Sequence, residues 1–151
     1  MSLRFRYQLS PTGRLIIPLG GRTVRPRPLI AVTIVGPRGS RVREAILDTA
    51  ADDTVFPESL ANVIGVDLTD APTGVGSGVG LVSVPLRYAE VSLRIATTQE
   101  LREWSAWVGF TSGSLRRPIL GFARFLQFFA ATFLGDREEV ELSVNRLYPG
   151  T

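Results

Sequence analysis

Gly and Pro interrupt this chain so often that few segments are long enough to form a helix. Fifteen Gly and ten Pro are spread over 151 residues. Gly favours turn conformations, and Pro removes a backbone donor, so both end regular elements. Between them lie short apolar runs such as Leu29–Val35, LIAVTIV, rich in β-branched residues. Short runs of this kind, bounded by turn formers, predict many strands joined by tight turns. At 16.5 kDa, with 44% hydrophobic and 21% charged residues, the chain has enough apolar content for one buried core.

The punctuation marks out the elements. Arg4–Leu9 and Arg14–Pro18 flank Ser10-Pro11-Thr12-Gly13 and predict a hairpin; Gly20-Gly21 and Pro26-Arg27-Pro28 then read as a linker. Residues 1–27 are therefore expected to be an N-terminal extension of hairpin and linker, with residues 28–151 as the main domain. Leu29–Val35, a turn over Gly36–Ser40 and a strand over Arg41–Leu47 deliver Asp48 to a strand end. Pro57-Glu58-Ser59 predicts a turn of helix over Leu60–Ile64, ended by Gly65. Leu81–Leu86, Ala89–Ile95 and Trp104–Phe110 read as strands, and Gly74–Gly80 as a hairpin tip. Apolar residues at 122, 125, 126 and 129 predict a helix opening at Gly121. Ala130–Leu134 and Glu139–Val144 predict a closing hairpin about Gly135-Asp136.

Three absences narrow the chemistry. There is no Cys and no His, and all 17 basic residues are Arg. Disulfides, thiol nucleophiles, zinc fingers, Ser-His-Asp machinery, the P-loop lysine and Schiff bases are excluded. Acid–base chemistry then falls mainly to carboxylates or a bound ion. The net charge of +3 is uneven: residues 1–43 hold nine Arg and no acid, the remainder eight Arg and 14 acids. These Arg are scattered and have few aromatics between them, so a solvated set of strand faces is the expected reading, with nucleic-acid binding the weaker one. The run Leu15–Leu19 is too short for a signal-peptide core, and Phe125–Gly135 too short to span a bilayer. The expectation is a soluble cytoplasmic protein with no membrane contact.

The densest polar cluster within apolar sequence is Asp48-Thr49-Ala50-Ala51-Asp52-Asp53-Thr54. A carboxylate at the end of a buried strand, followed by small residues, allows another chain to approach closely. Two such carboxylates face to face cannot both ionise and so share a proton. One acts as base on a water while the other donates to a carbonyl oxygen. That is peptide hydrolysis without His, Cys or metal.

The segment from Pro28 through Glu44-Ala45-Ile46-Leu47-Asp48-Thr49-Ala50-Ala51-Asp52-Asp53-Thr54-Val55-Phe56 closely resembles the N-terminal part of the retropepsins, the retroviral-type aspartic proteases. Gly74–Gly80 stands where that family has its flap, and Trp107-Val108-Gly109 and Pro118-Ile119-Leu120-Gly121 where it has an apolar-apolar-Gly element and a C-terminal helix. The resemblance covers about residues 28–135. It implies an all-β retropepsin-like fold: a closed or curled sheet with a flap hairpin and one short C-terminal helix. It implies that Asp48 is catalytic, that Thr49 and Ala50 support the active-site loop, and that Ala51, Asp52, Asp53, Gly76, Ser77 and Gly78 contact substrate. It implies a homodimeric aspartic endopeptidase with one Asp48 from each subunit, acting on a peptide or protein substrate. No metal or cofactor is implied, and nucleic acid is not expected as a partner. The chain departs from the family at Ala50, where Gly is usual, and at Phe122, where retroviral members carry Arg; Arg124 is expected to reach Asp52 instead. The alternative is a catalytically degenerate domain that dimerises or binds peptide.

Overall fold

The protein is described by a computed structural model covering residues 2–77 and 83–151. It begins with β1 (Leu3–Arg6), which pairs antiparallel with β12 (Glu139–Val144) in the register Leu3↔Leu142. β2 (Gln8–Ile16) and β3 (Arg22–Arg27) form a two-stranded sheet of their own. The expected first hairpin, with its turn at Ser10–Gly13, is therefore not formed. β2 runs through that segment with a shift of register between Pro11 and Ile16, and the reversal falls at Gly20-Gly21. Leu3 is 1% exposed and belongs to the core, so β1 packs with the residues of the central sheet.

The central sheet contains β4 (Leu29–Gly36), β5 (Gly39–Leu47), β6 (Val55–Pro57), β7 (Thr73–Ser77), β8 (Ser83–Ala96), β9 (Leu101–Thr111) and β10 (Ile119–Leu120). Their order is β4-β5-β10-β6-β9-β8-β7, and a further β4–β8 pairing curls the sheet upon itself. Its inner residues, among them Val32, Ile34, Phe56, Leu93, Val108 and Phe110, are fully buried. Of the strands expected over Leu81–Leu86 and Ala89–Ile95, the part from Ser83 onward is one element, because β8 crosses Arg87-Tyr88 and pairs with β9 from Arg87 to Ala96; Leu81 and Val82 lie outside the described residues.

Among the described residues one α-helix forms, α1 (Glu58–Ile64), entered at Pro57 and stopped at Gly65 in the left-handed region (φ 80°). The helix expected over Phe122–Phe129 is replaced by turns and a short 3-10 segment, Leu126–Phe128. Trp104 forms edge contacts with Phe125, Phe128, Phe129 and Tyr148, so Phe125 and Phe129 of the expected stripe reach the core, whereas Phe122 stays exposed. β11 (Phe129–Leu134) and β12 close the third sheet in the order β1-β12-β11. β11 occupies its edge, with Ala130–Phe133 exposed.

Candidate active site

Asp48 follows the last residue of β5. Its N–H donates to Leu120 O at 3.1 Å, because β10 lies parallel to β5 and extends the ladder by one bond. The loop then folds back on the aspartate. Ala50 N–H donates to Asp48 Oδ1 at 3.0 Å, and Ala51 N–H to Asp48 O at 3.2 Å. These bonds orient the carboxylate and leave Asp48 half-buried, with Thr49 and Ala50 exposed beside it. Ala50 has no positive φ, so its backbone does not require Gly.

A second loop locks the first. Phe122 N–H donates to Ala51 O at 2.9 Å and Ala123 N–H to Asp52 O at 2.8 Å. The approach is so close that a Cβ at Gly121 would lie 2.2 Å from Asp53 O and 2.7 Å from Ala51 O. Thr54, 1% exposed, donates its hydroxyl to Ala123 O at 2.8 Å, and its own carbonyl accepts Gly109 N–H at 2.9 Å. One buried threonine, through its hydroxyl and its carbonyl, thus ties three segments at the site. The helix expected from Gly121 is broken at Arg124, whose left-handed backbone (φ 66°) does not continue a right-handed turn. Arg124 does not pair with Asp52; among the described residues it forms no ion pair.

Asp53 has a partner that the sequence did not suggest. Tyr88 of β8 donates its hydroxyl to Asp53 Oδ2 at 3.1 Å. Burial pushes the Tyr88 phenol up from its ordinary value of 10.0, and the Asp53 charge and hydrogen bond add to that. The same ring lies against β7: a Cβ at Gly74 would be 2.7 Å from Tyr88 Cε2. Next to it, Arg87 forms an ion pair with Glu58 of α1 and donates to Leu68 O at 3.3 Å. The root of the β7–β8 hairpin and the aspartate loop are thus joined through one tyrosine. Alternation along β8 is the only trace of Tyr88 in the sequence; Thr54 closes the polar cluster that begins at Asp48, and no local pattern marks its hydroxyl.

The remaining expected residues are placed as follows. Ala51 and Asp53 are half-buried and Asp52 is exposed. Gly76 pairs with Val84 and Ser77 with Ser83 in the β7–β8 hairpin. Gly78 lies outside the described residues. Phe122, standing where the resemblance places Arg, is 60% exposed beside Ala51. Among the described residues no cluster of three metal-ligating side chains occurs. The site therefore offers one oriented carboxylate on an exposed rim, framed by small residues.

No protein-family model and no curated protein matches the chain. Solved structures do. A retropepsin-like aspartic protease from Rickettsia conorii aligns over 94% of this chain and 90% of that one, with a TM-score of 0.51 at 14% identity. The EIAV protease complexed with the inhibitor HBY-793 aligns over 63% of this chain and 81% of its own, with a TM-score of 0.38 at 20% identity. The retroviral protease-like domain of Ddi1 from Leishmania major aligns over 82% of this chain and 94% of its own, with a TM-score of 0.45 at 11% identity. The fold is all-β with one short helix and is of the retropepsin-like kind.

Proposed function

We propose that this chain is one protomer of a homodimeric aspartic endopeptidase. The observation that carries the reading is Asp48: its backbone is anchored on β10, its carboxylate accepts Ala50 N–H, and the adjoining rim of Thr49 and Ala50 is open. A single aspartate of this kind is half of a dyad, and a two-fold axis supplies the other half. One Asp48 carboxylate removes a proton from a water held between the two. The resulting hydroxide attacks the scissile carbonyl carbon, and the other, protonated Asp48 donates to the carbonyl oxygen. The tetrahedral intermediate collapses as the amide nitrogen takes a proton and leaves. No covalent acyl-enzyme forms. The substrate lies extended between Ala51–Asp53 and the flap residues Gly76–Gly78, adding itself as a strand. Residues 28–151 carry this chemistry, with Thr49 linking the two loops across the axis.

A second reading, a peptide-binding or dimerisation module without catalysis, is favoured by Ala50, whose exposed methyl would face the partner loop. Peptide-library cleavage measured from acid to neutral pH separates the two. The endopeptidase reading expects cleavage by the wild type, none by Asp48→Asn, and equal dimer mass for both. Cleavage should fall as pH rises far enough to remove the proton the dyad shares. A confirmed dimer that cleaves nothing, with Ala50→Gly equally silent, gives the second reading.

A further inference from the structure

Leu15-Ile16-Ile17-Pro18-Leu19-Gly20-Gly21 is a run of seven residues without a polar side chain, bracketed by Arg14 and Arg22. In the fold it is the tip of the β2–β3 hairpin. Leu15 is 62% exposed, Ile17 84% and Leu19 41%. The tip satisfies its own backbone: Gly20 N–H donates to Ile17 O and Gly21 N–H to Ile16 O, both at 3.1 Å. Behind the tip, Gln8–Arg27 contains four Arg, no acid and no aromatic residue. Arg22 pairs with Glu138, whereas Arg14, Arg25 and Arg27 enter no ion pair among the described residues.

We infer that this hairpin docks the protein on an anionic lipid surface, with Leu15, Ile17 and Leu19 entering the headgroup boundary and Arg14, Arg25 and Arg27 meeting lipid phosphates. Exposed apolar side chains flanked by cations combine the two forces that hold proteins on such surfaces. With the Gly20 and Gly21 N–H groups bonded inside the turn, taking the tip out of water costs less. Seven residues lacking side-chain donors or acceptors give a protein partner no polar register, and a lipid boundary needs none. Nucleic acid would use the arginines but has no use for the apolar tip, and the hairpin has no aromatic platform for bases. As plain sequence, Leu15–Leu19 is too short for any membrane segment. In the fold it is a loop long enough to touch a membrane surface without crossing it.

The test is sedimentation of the full chain with vesicles of phosphatidylcholine alone and of phosphatidylcholine mixed with phosphatidylglycerol. The wild type should sediment with the mixed vesicles only, and less as salt rises. Ile17→Asp should lower the vesicle partition coefficient roughly tenfold and Arg25→Gln roughly fivefold, while circular dichroism stays unchanged. Absence of binding to mixed vesicles, or binding undiminished by Ile17→Asp, overturns the inference. So does a drop in lipid-free molecular mass with Ile17→Asp, which would assign the tip to a second copy of this chain. Duplex DNA binding at physiological salt that survives Ile17→Asp, in a protein without vesicle binding, would assign the arginines to nucleic-acid phosphate and equally overturn it.

Discussion

At the scale of single residues, the site depends on two close approaches that the chain barely advertises. Gly121 is needed because its missing side chain lets Ala51 O and Asp53 O come within reach of the next loop. Gly121→Ala should lower unfolding free energy by about 3 kcal/mol in urea melts, since backbone oxygens have no rotamer by which to yield. Tyr88 is the second. Tyr88→Phe removes a hydrogen bond to a carboxylate and should cost about 1 kcal/mol, with an Asp53→Asn double-mutant cycle showing coupling between the two positions. The place of Asp48 at a strand end was legible from the sequence, because Leu29–Leu47 reads as two strands about a turn. The Tyr88–Asp53 contact was not, since a 35-residue separation leaves no local pattern that joins the two.

Among elements, local signals succeeded where the partner is near in sequence. Leu29–Gly36 and Gly39–Leu47 form a hairpin around a Gly-Pro turn, and Pro57 and Gly65 delimit α1 as their backbone preferences demand. Reading failed where the partner is distant. β1 finds β12 at the opposite end of the chain, and the stretch after Gly121 bonds the aspartate loop through Phe122 and Ala123 and turns left-handed at Arg124. The N-terminal elements are held by two ion pairs, Arg22–Glu138 and Arg4–Glu141. The Glu138 carboxyl lies below its ordinary 4.5, chiefly through the hydrogen bond from Arg22; that of Glu141 is lowered first by the Ser2 hydroxyl and then by Arg4. A lowered carboxyl supports the fold above 4.5 and withdraws that support as pH falls through the lowered value. Protection factors of amides in β1, β2 and β3, each referred to the intrinsic exchange rate at that pH, should therefore fall in acid, while those of β9 in the central sheet hold. An equal loss of protection in β9 would show that acid loosens the molecule as a whole rather than at these two pairs.

For the whole molecule, the proposed dyad, with one Asp48 from each protomer, would make catalysis a property of concentration. If two protomers build the dyad, specific activity should decline on dilution below the dimer dissociation constant, in step with the mass seen by sedimentation velocity. Activity per chain that stays constant through the monomer range would remove the two-protomer mechanism. The curled sheet hides most of its hydrogen-bonding groups, but β11 does not. Its sequence, FAATFL, carries no charge and no proline, and its outer rim is unpaired among the described residues. Natural edge strands are commonly guarded by a lysine, a proline or a bulge, and β11 has a straight six-residue register with its one partner. Such a rim places no limit on how many copies may stack along it, so the solution lifetime of the isolated chain is set by whatever reaches that rim first. A preparation that is clear when fresh should cloud with storage and concentration, and a single charged residue on the rim should lengthen its shelf life more than any change in the core.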